Sequence, residues 1–386
     1  VWSFTGSGQT FKQFSGKISE FIPELRLFCQ KTTDQQKNLA ATLQFFSVLW
    51  DSAKLSDEQK TQLVSIAIYL IDKKIRPYPE FYHFLQANVA FFQHNHPIDS
   101  YNEWLQGQLV ACEQRRPLSA FVKIWQATQL ILTEHLLYKS SAIRWKASDT
   151  LFFFRKADPI QAIFKKVDLY CYANRDSAMI FGTMGSYNLL TSVWMGKGGL
   201  VTWERAGYSR DSVYAQLSGY TIDMNFSSYA ADSVTFFNRI YFSFPLLGRL
   251  ENSVERFINT SLLQYPRFES YQKEFSLKNF YKAVDYKGGF TMMGAKLAGT
   301  GTREEPAILT FFRNDTLRVK STSLLYIFYP GRVVSSDASI TIYLDKDSIH
   351  HAALQFLYRV PNRELSLLKS ERYTARSPYL NSYHQI

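Results

Sequence analysis

The stretch RDSVYAQLSGYTIDMNFSSYAADSVTFFN, residues 210–238, sets two near-copies of one phrase 21 residues apart. DSVYA begins at Asp211 and DSVTF at Asp232. Asp folds a turn by accepting an amide proton two residues on, and Ser does so more weakly. The alternation that follows builds a half-buried strand. The same opening recurs as DTLFF from Asp149, DSAMIF from Asp176, DTLRV from Asp315 and DSIHH from Asp347, with a looser copy, DASITIYL, from Asp337. The phrase therefore reads as the turn into each β-layer. Gaps of 21 (211 to 232) and 22 (315 to 337) suit the rungs of a β-solenoid, whereas the other gaps suit a meandering sheet or sandwich. Both architectures stay open at this level.

Upstream the period changes. Apolar residues recur every three or four positions from about 10 to 140, and helix-start signals repeat. Thr33–Gln36, Ser56–Gln59 and Ser100–Glu103 each have capping-box spacing. Helices are expected near 10–30, 33–52, 56–74, 79–95, 99–113 and 118–139, with short connections that make neighbours antiparallel. The fold class is thus multidomain, α then β. Residues 1–143 form an all-helical domain, and residues 144–386 a layered β-rich domain with a partly helical insert near 249–283.

Composition bounds the function. The chain has 386 residues, 46% apolar and 20% charged, which is ample for packed cores. Its 31 Phe, 24 Tyr and 7 Trp are what long strands use, and also what wet binding faces use. The net charge of +11 suits a polyanionic partner, but the basic residues are spread, with no run long enough for a nucleic-acid arm, so nucleic acid is not the expected partner. Cys29, Cys112 and Cys171 have no zinc or redox spacing and read as buried free thiols. No apolar run reaches the length of a membrane-spanning helix. The chain opens VWSFTGSGQT, with no initiator Met and no charged, apolar, cleavable leader, as a mature, processed or truncated chain would.

The usual chemical signals fail one by one. AGTGTREEPA (298–307) has glycines but no following Lys or helix, so it reads as a hairpin loop, and MGKGG (195–199) fails the same test for a phosphate loop. His94 and His96, and His350 and His351, lack further ligands at metal spacing. No nucleophile elbow occurs. No metal, cofactor or catalytic residue is expected. The densest cluster of unusual residues is SVWMGKGGLVTWERAGYSRDSVYA (192–215). An aromatic surface with Arg is what binding hot spots use, which nominates Trp194, Trp203, Arg205 and Tyr208 as ligand or partner contacts. The competing reading is a hairpin whose two Trp staple the core.

That cluster also carries a resemblance. Together with GKGGLVTWERAGYSRDSVYAQLSGYTIDMNFSSYAADSV (196–234), GAKLAGTGTREEPAILTFFRNDTLRV (294–319) and LSLLKSERYTARSPYLNSYH (365–384), it resembles the N-terminal part of large uncharacterised exported cell-envelope proteins of Bacteroidota. The resemblance implies export, to the periplasm, the outer membrane or the cell surface, and a chain that continues past Ile386. It implies no catalytic residues. The expected function is a non-enzymatic envelope component binding other proteins or surface glycans. The alternative is a polysaccharide lyase or hydrolase acting on an acidic glycan, which calls for a groove of clustered Lys, Arg, Tyr and Asp/Glu on one sheet. A nucleic-acid binder, the third reading, would show steeply salt-dependent affinity.

Overall fold

The computed structural model describes residues 11–30, 36–148, 150–173, 176–254, 263–369 and 380–381. Six α-helices come first: α1 Ile18–Cys29, α2 Gln36–Asp51, α3 Asp57–Asp72, α4 Tyr82–Gln93, α5 Ile98–Glu113 and α6 Leu118–Glu134. Strands follow: β1 Leu136–Lys139, β2 Ile143–Ala147, β3 Phe152–Arg155, β4 Gln161–Ala173, β5 Asp176–Asn188, β6 Val193–Lys197, β7 Leu200–Thr202, β8 Val213–Gln216, β9 Gly219–Asp223, β10 Ser228–Asn238 and β11 Leu246–Ser253. The remainder are β12 Arg267–Ser270, β13 Phe275–Tyr281, β14 Val284–Met293, β15 Lys296–Thr300, β16 Ala307–Arg313, β17 Thr316–Ser323, β18 Leu325–Tyr329, β19 Arg332–Leu344, β20 Asp347–Arg359, β21 Glu364–Lys369 and β22 Leu380–Asn381. The fold is a helical front followed by antiparallel β-structure. By packing, Val1–Lys197 with Thr221–Ser227 form one compact unit, and Gly198–Tyr220 with Ser228–Ile386 another.

In the first unit the helices pack chiefly next-but-one, α1 on α3, α2 on α4, α3 on α5 and α4 on α6. This is the two-layered arrangement of stacked helix pairs. The Ser56–Gln59 box forms as expected: Gln59 N–H donates to Ser56 Oγ at 3.2 Å, and Ser56 N–H to Gln59 Oε1 at 2.8 Å. Thr33 lies outside the described residues. The last helix stops earlier than its apolar period suggests. His135 turns left-handed (φ 55°) and its N–H takes carbonyls of the last turn, so 136–139 is free to pair as β1.

Ser100 and Glu103 do not form a capping box. Pro97 holds the N-cap position, which places Ser100 inside α5. Both side chains instead reach across the unit. Ser100 Oγ accepts the Phe154 N–H at 2.7 Å, and Glu103 Oε2 accepts the Lys156 N–H at 2.7 Å. Four residues on, Gly107 lies where a Cβ would meet the Ile160 side chain at 2.5 Å. The stripe 100–103–107 is one face of the helix. It satisfies amides on the side of β3 that faces away from β4, as a partner strand would. Helix gives way to strand between Glu134 and Leu136, ahead of the expected 143, and the compact unit runs on to Lys197.

Every strand pairing whose register is described is antiparallel, including β4–β5, β10–β11, β16–β17 and β19–β20. A β-solenoid would stack its rungs in parallel, so that alternative is overturned. Of the expected partly helical insert near 249–283, residues 255–262 lie outside the described residues; the described remainder is strand and turn, with β11, β12 and β13 in antiparallel ladders. Burial in LLGRLENS (246–253) alternates strictly, a period-two pattern.

The Asp–Ser phrase has two fates. At Asp211 it precedes β8, at Asp176 it opens β5, and at Asp315 it closes a two-residue turn in which Asn314 and Asp315 are both left-handed (φ 51° and 57°). Asp347 opens β20 after the tight turn from Leu344, its carboxylate taking the Ser348 N–H at 2.7 Å. Asp149 is outside the described residues. At Asp232 and Asp337, however, the phrase sits inside a long strand as a β-bulge. The register slips between Ala231 and Val234 in β10, and between Ser335 and Ala338 in β19. β4 slips likewise between Phe164 and Val167. In each case a pair of exposed residues, Lys165–Lys166, Asp232–Ser233 or Ser336–Asp337, interrupts an otherwise alternating burial pattern. The 21-residue spacing thus joins a turn to a bulge and is not a structural repeat.

The second unit is centred on Phe290, fully buried and ringed by Phe242, Phe275, Phe280, Tyr286 and Phe328 at centroid distances of 4.6–6.2 Å.

Two outcomes follow from the α5 contacts. Ser100→Ala removes the acceptor of the Phe154 amide and is expected to cost about 1–3 kcal/mol in chemical denaturation, with faster hydrogen exchange at Phe154. His96 packs between Phe91, Phe152 and Phe154, and its Nε2 lies 2.8 Å from Ser100 Oγ. Burial lowers the imidazole to about 4. A folded pKa below the unfolded 6.5 means that the unfolded state binds more protons between those values. The stabilisation is complete above pH 6.5 and is lost as pH falls toward 4. After allowing for its partial exposure, the loss is on the order of 2 kcal/mol. His96→Gln should flatten that part of the stability profile, read as the difference in urea midpoint between about pH 7.5 and about pH 4.5.

Candidate binding surface

The four nominated residues are all engaged within the fold. Trp194, on β6 in the first unit, is fully buried, and its ring lies on Gly185 of β5, where a Cβ would come within 2.7 Å of it. Trp203, in the second unit, is also fully buried, edge-on to Phe236 at 5.1 Å. Arg205 is half-buried and donates from Nη1 to the Ser253 carbonyl at 3.1 Å. Tyr208 donates its hydroxyl to the Ala295 carbonyl at 2.8 Å, and burial raises its pKa. The two rings are packed in cores, and the two polar groups are engaged with backbone.

The other sequence signals resolve locally. The expected hairpin at AGTGTREEPA is corrected: the segment connects β15 and β16, with Thr302 N–H donating to the Glu305 carbonyl at 2.9 Å, but both strands pair with β14 rather than with each other. His94 caps the C-terminus of α4. His350 shares a hydrogen bond with Thr341 at 3.0 Å, and His351 is buried. Among the described residues no disulfide joins the three cysteines, and burial raises Cys29 and Cys112 to about 12. Among the described residues no three His, Cys, Asp or Glu side chains converge as a metal site.

The surface that does gather recognition chemistry lies on β10, β11 and β12 in the second unit. Along β11, Leu246, Gly248 and Leu250 point inward, leaving Leu247, Arg249 and Glu251 on the outer face. Gly248 is required beneath Phe268, whose ring would meet a Cβ at 2.6 Å. On β12, Arg267 and Glu269 face outward, and the register sets Arg249 opposite Glu269 and Glu251 opposite Arg267. Oppositely charged residues thus face each other twice across one ladder.

The β10 bulge completes the face. Ser233 is left-handed (φ 56°), and its N–H, turned out of the ladder, donates to Tyr271 Oη at 2.8 Å. The same hydroxyl donates to Asp232 Oδ1 at 3.2 Å, and Arg249 reaches that carboxylate at 3.3 Å. Lys273 pairs with Glu269 at 2.6 Å. With Lys273 first and Arg267 and Arg249 adding to it, Glu269 is held below the usual carboxylate range against the opposing effect of burial. Beside this network Leu247 is 54% exposed and Tyr271 is 44% exposed, and the Tyr271 N–H donates to the Leu247 carbonyl at 2.9 Å. The result is an exposed apolar and aromatic pair next to ordered charges.

No known family model matches the chain, no curated protein matches it, and no solved structure matches it.

Sequence reasoning missed this face because it placed a partly helical insert near 249–283. The available signal was the out-of-pattern Leu247, an apolar residue at a solvent position of an alternating run. Tyr271→Phe should lower unfolding stability by about 1 kcal/mol, because the Ser233 amide loses its acceptor. Leu247→Ser should change it by less than about 0.5 kcal/mol. Both are read by urea denaturation.

Proposed function

We propose that the chain is a non-enzymatic component of the exported cell envelope that binds a protein partner through the β10–β12 face. The observation that carries this reading is the exposed Leu247–Tyr271 pair, held next to a prearranged set of charges on Asp232, Arg249, Glu269 and Lys273. Groups already fixed by one another lose little entropy on binding, and desolvating an apolar centre inside a polar rim is how protein interfaces gain affinity. The resemblance to exported Bacteroidota proteins supports the location, and among the described residues no helix is long and apolar enough to cross a membrane.

The alternative of an acidic-glycan lyase or hydrolase draws on the same face, since Lys, Arg, Tyr and carboxylates do share one sheet there. The electrostatics favour binding over catalysis. A general acid needs a raised carboxyl pKa, and Glu269 is lowered.

The test is affinity capture from detergent-solubilised envelope of a Bacteroidota source cell, with wild type beside Leu247→Ser and Arg249→Ala. A stoichiometric protein retained by wild type, and weakened at least about tenfold by each substitution, is the expected result. Retention of an acidic glycan with no protein, or product formation from it, would transfer the assignment to the glycan reading. Capture indifferent to both substitutions would remove this face from the function.

A further inference from the structure

A second feature, in the helical front of the first unit, has a different chemistry. α2 and α4 leave a cleft of about 260 Å³ between them. Phe45 and Val48 of α2 and Val89 and Phe92 of α4 form its walls, and the buried Leu49 lies at its base. Phe45 is 58% exposed and Val48 65%, which is unusual for large apolar residues on a surface helix. At the end of the cleft, on the α2–α3 connection, stands Lys54. Among the described residues its ammonium has no ion pair, and no acidic side chain lines the cleft. On the adjoining polar surface Glu58 accepts a hydrogen bond from Gln62 at 3.2 Å.

We infer that this cleft is a binding site for a free medium-chain aliphatic carboxylate, with the tail between α2 and α4 and the carboxylate on Lys54. Size selects the occupant. Drug-sized ligand pockets run from about 300 to 1,000 Å³. A cleft just below that range takes one aliphatic tail and is too small for an amphipathic partner helix, which would need an open groove several turns long. Charge selects the head group. A lone cation beside an apolar wall favours an anion that can keep its outer side in water. Ser52 and Gln93, also on the lining, add polar contacts at the rim. This inference does not depend on the β10–β12 face, which belongs to the other compact unit.

The experiment is calorimetric titration of the full chain with butyrate, hexanoate, octanoate and decanoate, with decanol as the uncharged control. Affinity should rise about fourfold for each added methylene until the cleft is filled. Lys54→Met should weaken decanoate about tenfold and leave decanol unchanged. Val48→Trp, at an exposed position where the fold tolerates the change, should fill the cleft and abolish both. The inference is overturned if decanoate shows no saturable binding, if Val48→Trp leaves binding intact, or if affinity is independent of chain length. Binding confined to anionic phospholipid vesicles, with none to free decanoate, would overturn it in favour of a membrane surface.

Discussion

A backbone N–H that leaves its β-ladder must find another acceptor, and this requirement organises both compact units. The chain builds several strands longer than ten residues, and such strands twist too strongly to stay in register with a neighbour along their whole length. Each of β4, β10 and β19 slips at mid-length, and each slip turns polar backbone groups out of the ladder. Three local solutions appear. Thr150 donates to the Lys166 carbonyl at 3.0 Å, and Asp168 takes the Gly182 N–H at 2.6 Å. Tyr271 takes the Ser233 N–H. Ser335 takes the Asp337 N–H at 3.2 Å, while Ser323 donates to the Asp337 carbonyl at 2.8 Å.

The same requirement explains how the helical front and the first strands become one body. β3 is short and pairs with β4 on one side. Its other side would be an open edge, a template for unwanted pairing. α5 closes that edge with two side-chain acceptors and one glycine, Ser100, Glu103 and Gly107. A helix covering a strand edge is a common device, but here the helix supplies hydrogen-bond acceptors as well as bulk. The histidine that holds Ser100 in place is packed among three Phe rings, so the contact is sensitive to protonation as well as to packing.

In the second unit, the device that repairs a bulge also shapes a surface. Tyr271 is drawn to the β10 bulge by the stray amide of Ser233, and its hydroxyl then orients Asp232, which in turn holds Arg249. An ordered cluster of Tyr, Arg and carboxylate beside an exposed Leu is therefore a by-product of backbone satisfaction. That is why the proposed face lies away from the Trp-rich segment nominated by the sequence. Trp194 and Trp203 carry large apolar area, and each is taken into a core through a small or aromatic neighbour, Gly185 for one and Phe236 for the other.

The sequence by itself determined what local chemistry controls. Six helices lie close to where apolar period and the Ser56–Gln59 box put them, the last ending short, and strands follow the alternation of apolar and polar residues, because both depend on neighbours a few positions away. The turn at Asp315 was legible for the same reason. Tertiary structure alone decided what depends on a distant partner. Asp–Ser serves a turn and a bulge equally well, since a short polar side chain can bond nearby amides in either; at Asp232 the choice rests on Tyr271, 39 residues on. Ser100 has the spacing of a cap, yet its bond is to Phe154, 54 residues on, because Pro97 had already taken the first position of the helix. Residue spacing carries no information about contacts at that range, and the binding face and the α2–α4 cleft are both made of them.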